Sequence, residues 1–257
     1  MASSAPGKPG TGTGTGHILP HYDHDGLLTV TAFEGAITTS LLPFDTADLA
    51  FSFRIVFRPR HPRLANAPGK PPMHFHVHQD EYLRVLRGAL VLEMDYGGER
   101  VVRPRDGDVV VPRGEHHRLY TLPPPTGGGG EEEEGDDVEE VEVLLWGEQT
   151  ESAQKLDLIF FENWYAYQEK VVVGGEGVSL LQVLIMFDAA GTYLSLPRWV
   201  PFRVPLAKIM GVVGGRWIGS LMGYQPYYED WTTDWDLACE TMETSWFWRR
   251  FAVRKRT

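Results

Sequence analysis

The stretch Pro71–Gly88, PPMHFHVHQDEYLRVLRG, sets three histidines on alternate residues and follows them with a carboxylate. On a regular strand side chains alternate between faces, so His74, His76 and His78 would share one side. Glu81 lies an odd number of residues beyond each of them and would point away. A turn removes the conflict: His74 and His76 end one strand, Val77–Asp80 makes a corner, and Glu81 opens the next strand facing the two imidazoles. His78 is then left in the corner. Imidazole and carboxylate ligands suit Fe, Mn, Ni, Cu or Zn, and a usable site needs three or four of them converging from stiff backbone.

A second histidine cluster follows in Asp106–Tyr120, DGDVVVPRGEHHRLY, where Pro112 and Gly114 form a turn ahead of a strand holding His116 and His117. Only one of two successive residues can face inward. Around both clusters run short segments rich in Val, Leu, Phe and Tyr with Gly and Pro between them: LLTVTAF, FSFRIVF, DEYLRVL, ALVLEMDY, DVVVP, HHRLYTL and VEVLLW. Such repetition predicts an antiparallel sandwich or barrel. DYGGER is the clearest hairpin signal, with Gly97 and Gly98 available for positive φ.

These residues resemble the two motifs of the cupin superfamily, whose fold is a jelly-roll barrel. The first motif, HxH, then three or four residues, Glu, six residues and Gly, matches His74, His76, Glu81 and Gly88. The second, PxG, two residues and His, matches Pro112, Gly114 and His117. The resemblance implies metal ligation by His74, His76, Glu81 and His117, and leaves His78 and His116 outside the ligand set. It covers about residues 50–149. Gly69 precedes His74 by four intervening residues where the family has five, and Thr121 stands where Asn is expected; neither position is a ligand. More loosely, the chain resembles single-barrel cupins of filamentous fungi, some tied to specialised metabolism.

The expected fold is therefore mainly β: a disordered leader over 1–18, a cupin jelly-roll barrel over 19–149 with an acidic loop insertion at 123–140, and a helical C-terminal extension over 150–257 packed on the barrel. The acidity is local. Nine carboxylates fall between Glu131 and Glu142, and removing them from the net charge of -11 leaves -2. Like charges on glycine-rich backbone favour a solvated loop. No dense basic patch with interleaved aromatics is present, so nucleic acid is not an expected partner. The single cysteine, Cys239, permits no intrachain disulfide, and MASSAPGKPGTGTGTGH lacks the apolar run of a secretory signal; a cytoplasmic location is expected.

Beyond residue 150 the pattern turns helical. Leu156, Ile159, Phe160, Trp164 and Tyr167 make one apolar stripe, and Trp235, Cys239, Met242 and Trp246 make another, with Thr232 or Thr233 as its N-cap. Between them Gly211, Gly215, Gly219 and Gly223 fall at four-residue intervals. On a helix they would form a bare strip for close backbone approach; in turns they would serve unusual dihedrals. Lys208 and Arg216 break the apolar run before it could span a bilayer, which leaves peripheral membrane contact through 192–224 as an open expectation.

The cupin resemblance implies a small-molecule enzyme. A dioxygenase acting on a phenolic or enolic metabolite comes first, with Fe(II) as metal and Mn, Ni, Cu or Zn behind it. A redox-neutral isomerase, cyclase or decarboxylase is the second reading, and a non-catalytic metal-binding or storage protein the third. Leu83 and Val85 share the face of Glu81, and Leu119 and Thr121 that of His117, so an apolar lining is expected. His78 and His116 are candidate proton carriers. Tyr82 and Leu86 on the outer face are natural contacts in a homodimer.

Overall fold

The computed structural model describes residues 20–66, 69–122 and 139–254. The leader and nearly all of the acidic insertion lie outside the described residues. Twelve strands form two antiparallel sheets: β1 (His21–Tyr22), β2 (Leu28–Ala32), β3 (Ile37–Leu41), β4 (Leu49–Phe57), β5 (His74–His76), β6 (Glu81–Arg87), β7 (Leu90–Met94), β8 (Gly98–Val102), β9 (Val109–Val111), β10 (His117–Thr121), β11 (Val141–Glu148) and β12 (Thr192–Leu194). One sheet has the order β1-β2-β3-β4-β11-β6-β9, the other β12-β5-β10-β7-β8. Together they make a mainly β barrel.

Alternation in the strands decides which face is inside. Phe51, Phe53 and Ile55 of β4, Leu83 and Val85 of β6, and Val141, Val143 and Leu145 of β11 are buried at every second position. Leu90 and Leu92 of β7 and Val102 of β8 meet them from the facing sheet in one core. At the β7–β8 hairpin only Gly98, with φ +69, takes the positive dihedral expected of both glycines. The structure adds elements that the sequence pattern did not reveal, among them β3 and β12. β12 comes from the C-terminal segment read as helical, yet it joins the barrel by pairing with β5.

The C-terminal helices are α2 (Leu158–Val172), α3 (Leu180–Ala189), α4 (Arg203–Ile209), which continues into a π-helix over Met210–Gly219, and α5 (Trp235–Glu243), with a four-residue α1 (Pro62–Ala65) earlier in the chain. The Asp157 carboxylate caps α2 by accepting from Phe160 N at 2.9 Å. From this helix the Phe161 ring sits 5.2 Å from Phe51 and 4.8 Å from Phe53, carrying the barrel core into the helical layer. Every residue of α3 from Gln182 to Ala189 is buried, including Gln182 and Asp188, whose side chains are hydrogen-bonded. α5 is capped by Asp234, which accepts from Leu237 N at 3.0 Å, and not by Thr232 or Thr233. Thr233 instead donates to Glu162 from both its N–H and its hydroxyl. Because α5 ends at Glu243, Trp246 leaves the expected apolar face and is 67% exposed.

The glycine row resolves in favour of a helix. A Cβ at Gly215 would lie 2.6 Å from Leu184 C and 2.7 Å from Ile185 N, both backbone atoms of α3, and one at Gly211 would lie 2.6 Å from the Tyr193 ring. Gly223, at φ +96, ends the run. A buried ion pair fixes the approach: Arg216 Nε donates to Asp188 at 2.6 Å and Nη2 at 3.0 Å, and the Tyr193 hydroxyl donates to the same carboxylate.

Two stability measurements check this packing. Gly215→Ala should cost about 1–3 kcal/mol by forcing backbone apart, whereas Gly177→Ala, with nothing within 4 Å of the added carbon, should change the denaturant midpoint little. Glu162 is buried, and burial pushes its carboxyl up from 4.5 to about 7 against the Thr233 hydrogen bonds. Its neutral form is thus favoured by folding, a contribution present below about pH 4.5 and lost as pH rises toward 7. Glu162→Gln should therefore gain in melting temperature relative to wild type as pH is raised across that window; a pH-independent difference would contradict the assignment.

Candidate metal centre

The reversal expected after His76 is present. β5 ends at His76, the chain turns through Val77–Asp80, and Glu81 begins β6 in the opposite sheet. Side chains of the corner hold it from several directions. Gln79 is 1% exposed; its amide nitrogen donates to Glu148 O at 3.0 Å and Leu156 O at 3.1 Å, and its carbonyl accepts from Leu156 N at 2.6 Å. Asp80 accepts from Arg113 N at 2.8 Å. Gly114, at φ +84, turns the chain ahead of β10 and donates its N–H to His76 O at 2.7 Å. The two histidine clusters are thereby tied backbone to backbone.

His74 pairs with His117 across β5 and β10. His74, His76 and His117 offer ligand atoms that all lie within 4.8 Å of one another, and these three could bind a metal ion. Each ring is anchored through Nδ1: His74 to Pro72 O at 3.0 Å, His76 to the Thr192 hydroxyl at 2.9 Å, and His117 to Glu115 O at 3.0 Å. A carbonyl can only accept, so Nδ1 of His74 and His117 carries the proton. Thr192 Oγ1 donates its single hydrogen to Ala190 O at 3.3 Å and so accepts from His76 in the same sense. With Nδ1 protonated, each Nε2 presents a lone pair.

Glu81 stands against this set from the other sheet, its Oε2 3.0 Å from His117 Nε2 and 3.8 Å from His76 Nε2. His76 Nε2 is buried and has no hydrogen-bond partner, a costly state unless a cation takes its lone pair. The residues thus fit a divalent metal. Electrostatics agree. Burial works to raise the Glu81 carboxyl, but the adjacent imidazoles of His117 and His76 outweigh it and hold the group far below the carboxylate range. Burial, followed by the charges of His117 and His76, holds His74 well below the ordinary imidazole value. Burial also lowers His76. For His117 burial acts the same way, but Glu81 prevails and the net shift is upward.

The other two histidines lie elsewhere. His116 faces the outer side of the sheet, its ring 4.5 Å from Phe75 and its Nδ1 2.7 Å from the Ser195 hydroxyl. It is 4% exposed, and the parity that turns His117 inward turns it away. His78 is half-buried beside Gly191. Burial, with Lys208 and Arg113 nearby, lowers its affinity for a proton. Neither hydrogen-bonds to His74, His76, Glu81 or His117.

Leu83 and Val85 line the interior above Glu81, as expected, while Tyr82 and Arg84 face outward. Sequence reasoning missed three contributors. Thr192 orients His76 from a strand only three residues long. Phe187 of α3 brings its ring 6.0 Å from that of His74. Gly147, paired with Phe51 on one side and Glu81 on the other, leaves space for the Phe51 ring, since a Cβ there would lie 2.4 Å from Phe51 Cε1. None lies in either motif, and no short-range pattern links them to it.

Comparison with known proteins places these features in context. No family model matches the chain. The probable oxidoreductase yanE of Aspergillus niger is 46% identical over 230 residues, spanning 88% of this chain and 84% of that protein. The epoxidase atD of Aspergillus terreus is 32% identical over 244 residues, spanning 91% of this chain and 72% of its own. Among solved structures, a sugar phosphate isomerase of the cupin superfamily from Silicibacter pomeroyi aligns at TM-score 0.33 and 19% identity, over 51% of this chain and 76% of that one.

The anchoring of His76 gives a direct check. Thr192→Val keeps the shape of the side chain and removes the hydroxyl, and should weaken divalent metal binding about 10- to 100-fold in competition with a chelator, with the fold unchanged by circular dichroism. Unchanged affinity would mean that His76 is oriented without Thr192.

Proposed function

We propose, for a chain that belongs to a family of fungal oxidoreductases built on a cupin barrel, that His74, His76, Glu81 and His117 hold one divalent metal and that the protein is a dioxygenase-type enzyme acting on a small phenolic or enolic molecule. The observation that carries this reading is the convergence of three Nδ1-anchored imidazoles and one ionised carboxylate between the two sheets. Fe(II) is the first choice, and Mn, Ni, Cu and Zn suit the same donors. A metal so held supplies Lewis-acid and electron-transfer chemistry for joining O2 to an electron-rich substrate.

The protein's own residues supply the rest. Glu81 offsets one of the two charges of the ion, so an anionic phenolate or enolate would complete the balance. Phe187 brings its ring to His74, and Leu83 and Val85 share the face of Glu81 on β6, apolar surroundings that suit a flat carbon skeleton better than a sugar or a phosphate. Phe161 of α2, packed on Phe51 and Phe53, helps keep water from the interior. In a dioxygenase-type reaction both atoms of O2 enter the organic product and the substrate supplies all the electrons, so no external reductant is consumed. The relatives' description as oxidoreductases, one of them an epoxidase, favours this over redox-neutral isomerisation or cyclisation.

Fe(II)-loaded protein should take up about one O2 per molecule of a phenol, hydroquinone or 1,3-dicarbonyl substrate without added reductant. Turnover that continues unchanged under argon would contradict the oxidative reading. His76→Ala should lose bound metal by elemental analysis whereas His78→Ala should retain it; equal loss from both would overturn the ligand assignment.

A further inference from the structure

The helix running from Arg203 through the π-helix to Gly219 is built the wrong way round for a surface helix facing water. Its buried positions are small: Ala207, Gly211, Gly215 and Gly219 sit against the rest of the protein. Two residues beyond each of them, and so nearly opposite on the helix, come Ile209, Val213, Trp217 and Leu221, of which Ile209, Trp217 and Leu221 are exposed. A helix that served only the core would bury its large residues and show polar ones to solvent.

The same face continues at both ends. Trp199 and Phe202 are each 82% exposed in the turn before α4, and Phe202 has φ +53, a dihedral that bulky side chains rarely adopt. At the far end the Trp217 ring stacks on Phe247 at 5.8 Å, and Phe247 meets the exposed Trp246 at 4.9 Å. Trp217, Phe247 and Trp246 thus form one run of rings, and exposed tryptophans stand at both ends of the segment. Contiguous apolar exposure of this extent marks an interaction site.

Charge identifies the occupant. Residues 189–228 contain Arg198, Arg203, Lys208 and Arg216 and no Asp or Glu. Arg216 is taken by Asp188, and Arg198 and Arg203 both pair with Asp95. Lys208, on the helix, is half-buried with His78 within reach of its charge, and the exposed Arg249 and Arg250 border the Trp246 end, where they lie over the Trp246 and Phe251 rings. Of the exposed carboxylates of α5, Asp236 and Glu243 are engaged by Arg254 and Glu240 is open to solvent. Two-fold pairing with a second copy would set this cationic rim against itself with no carboxylate inside the patch to answer it. Among the described residues no helix is long and apolar enough to cross a membrane. Large apolar residues, tryptophans at the margins and cations around them are the features of a helix lying in the plane of an anionic lipid surface.

We propose that the face formed by Trp199, Phe202, Ile209, Trp217, Leu221 and Trp246 docks the protein peripherally on an anionic membrane. The full chain would be sedimented with vesicles of phosphatidylcholine alone and with about one third phosphatidylserine. Binding should be about tenfold stronger to the anionic vesicles and weaken with salt, and brominated acyl chains should quench tryptophan emission. The triple variant Trp199→Ser, Ile209→Gln, Leu221→Gln changes only exposed side chains, so it should keep its melting temperature and lose vesicle binding about tenfold or more. Absence of binding to either vesicle would overturn the proposal, as would binding and quenching that survive the triple substitution. A dimer in sedimentation velocity that the triple variant breaks, without vesicle binding, would instead assign the face to a second copy of this chain.

Discussion

The chain reversal between His76 and Glu81 is the constraint on which the centre depends. Side-chain parity forbids a continuous strand from presenting both residues to one point, so the chain must leave one sheet and enter the other within four residues. So short a corner must be held by contacts from its neighbours. Gln79, Asp80 and the Gly114 N–H meet that need. Gln79 reaches forward to Leu156 and so ties the corner to the start of the helical tail. Asp80 and Gly114 tie it to the turn that delivers His117. One local feature thus fixes both the convergence of the ligands and the docking of distant segments.

How far this was legible in the sequence follows from the range of each interaction. The HxH and Glu81 arrangement, the strand alternation of Phe51–Phe57 and Glu81–Arg87, and the turn at Pro112–Gly114 are period-two patterns and turn signals carried within a dozen residues. Their resemblance to the cupin motifs led to the four residues that the structure brings together. The Thr192 strand was missed because three residues cannot show a period, and its role depends on pairing with β5 more than a hundred positions away. α3 was missed for a different reason: in SLLQVLIMFDAA apolar residues run almost without interruption, with only Gln182 and Asp188 between Leu180 and Ala190, so no stripe distinguishes helix from buried strand. The exchange of Thr233 for Asp234 as cap also has a tertiary cause, since the Thr233 hydroxyl is taken by Glu162.

The helical tail is more than a cover. It supplies Thr192 to the back of His76, Phe187 to the wall beside His74, and Leu156 to the corner. In turn α3 is held by the glycine-faced helix, where Gly211 and Gly215 admit atoms that any side chain would displace, and by the Arg216–Asp188 pair. Small residues turned inward force the large ones outward, and this single packing choice produces both a rigid support for the centre and an apolar outer face.

The central claim is that four side chains from three strands, His74, His76, Glu81 and His117, share one ion. X-ray absorption spectroscopy of the metal-loaded protein at the metal edge tests it most directly. The account predicts a first shell with the outer-shell scattering of three imidazoles together with carboxylate oxygen, and loss of one imidazole contribution in His117→Ala. A shell with fewer than three imidazoles in the wild-type protein, or one unaltered by that substitution, would contradict it.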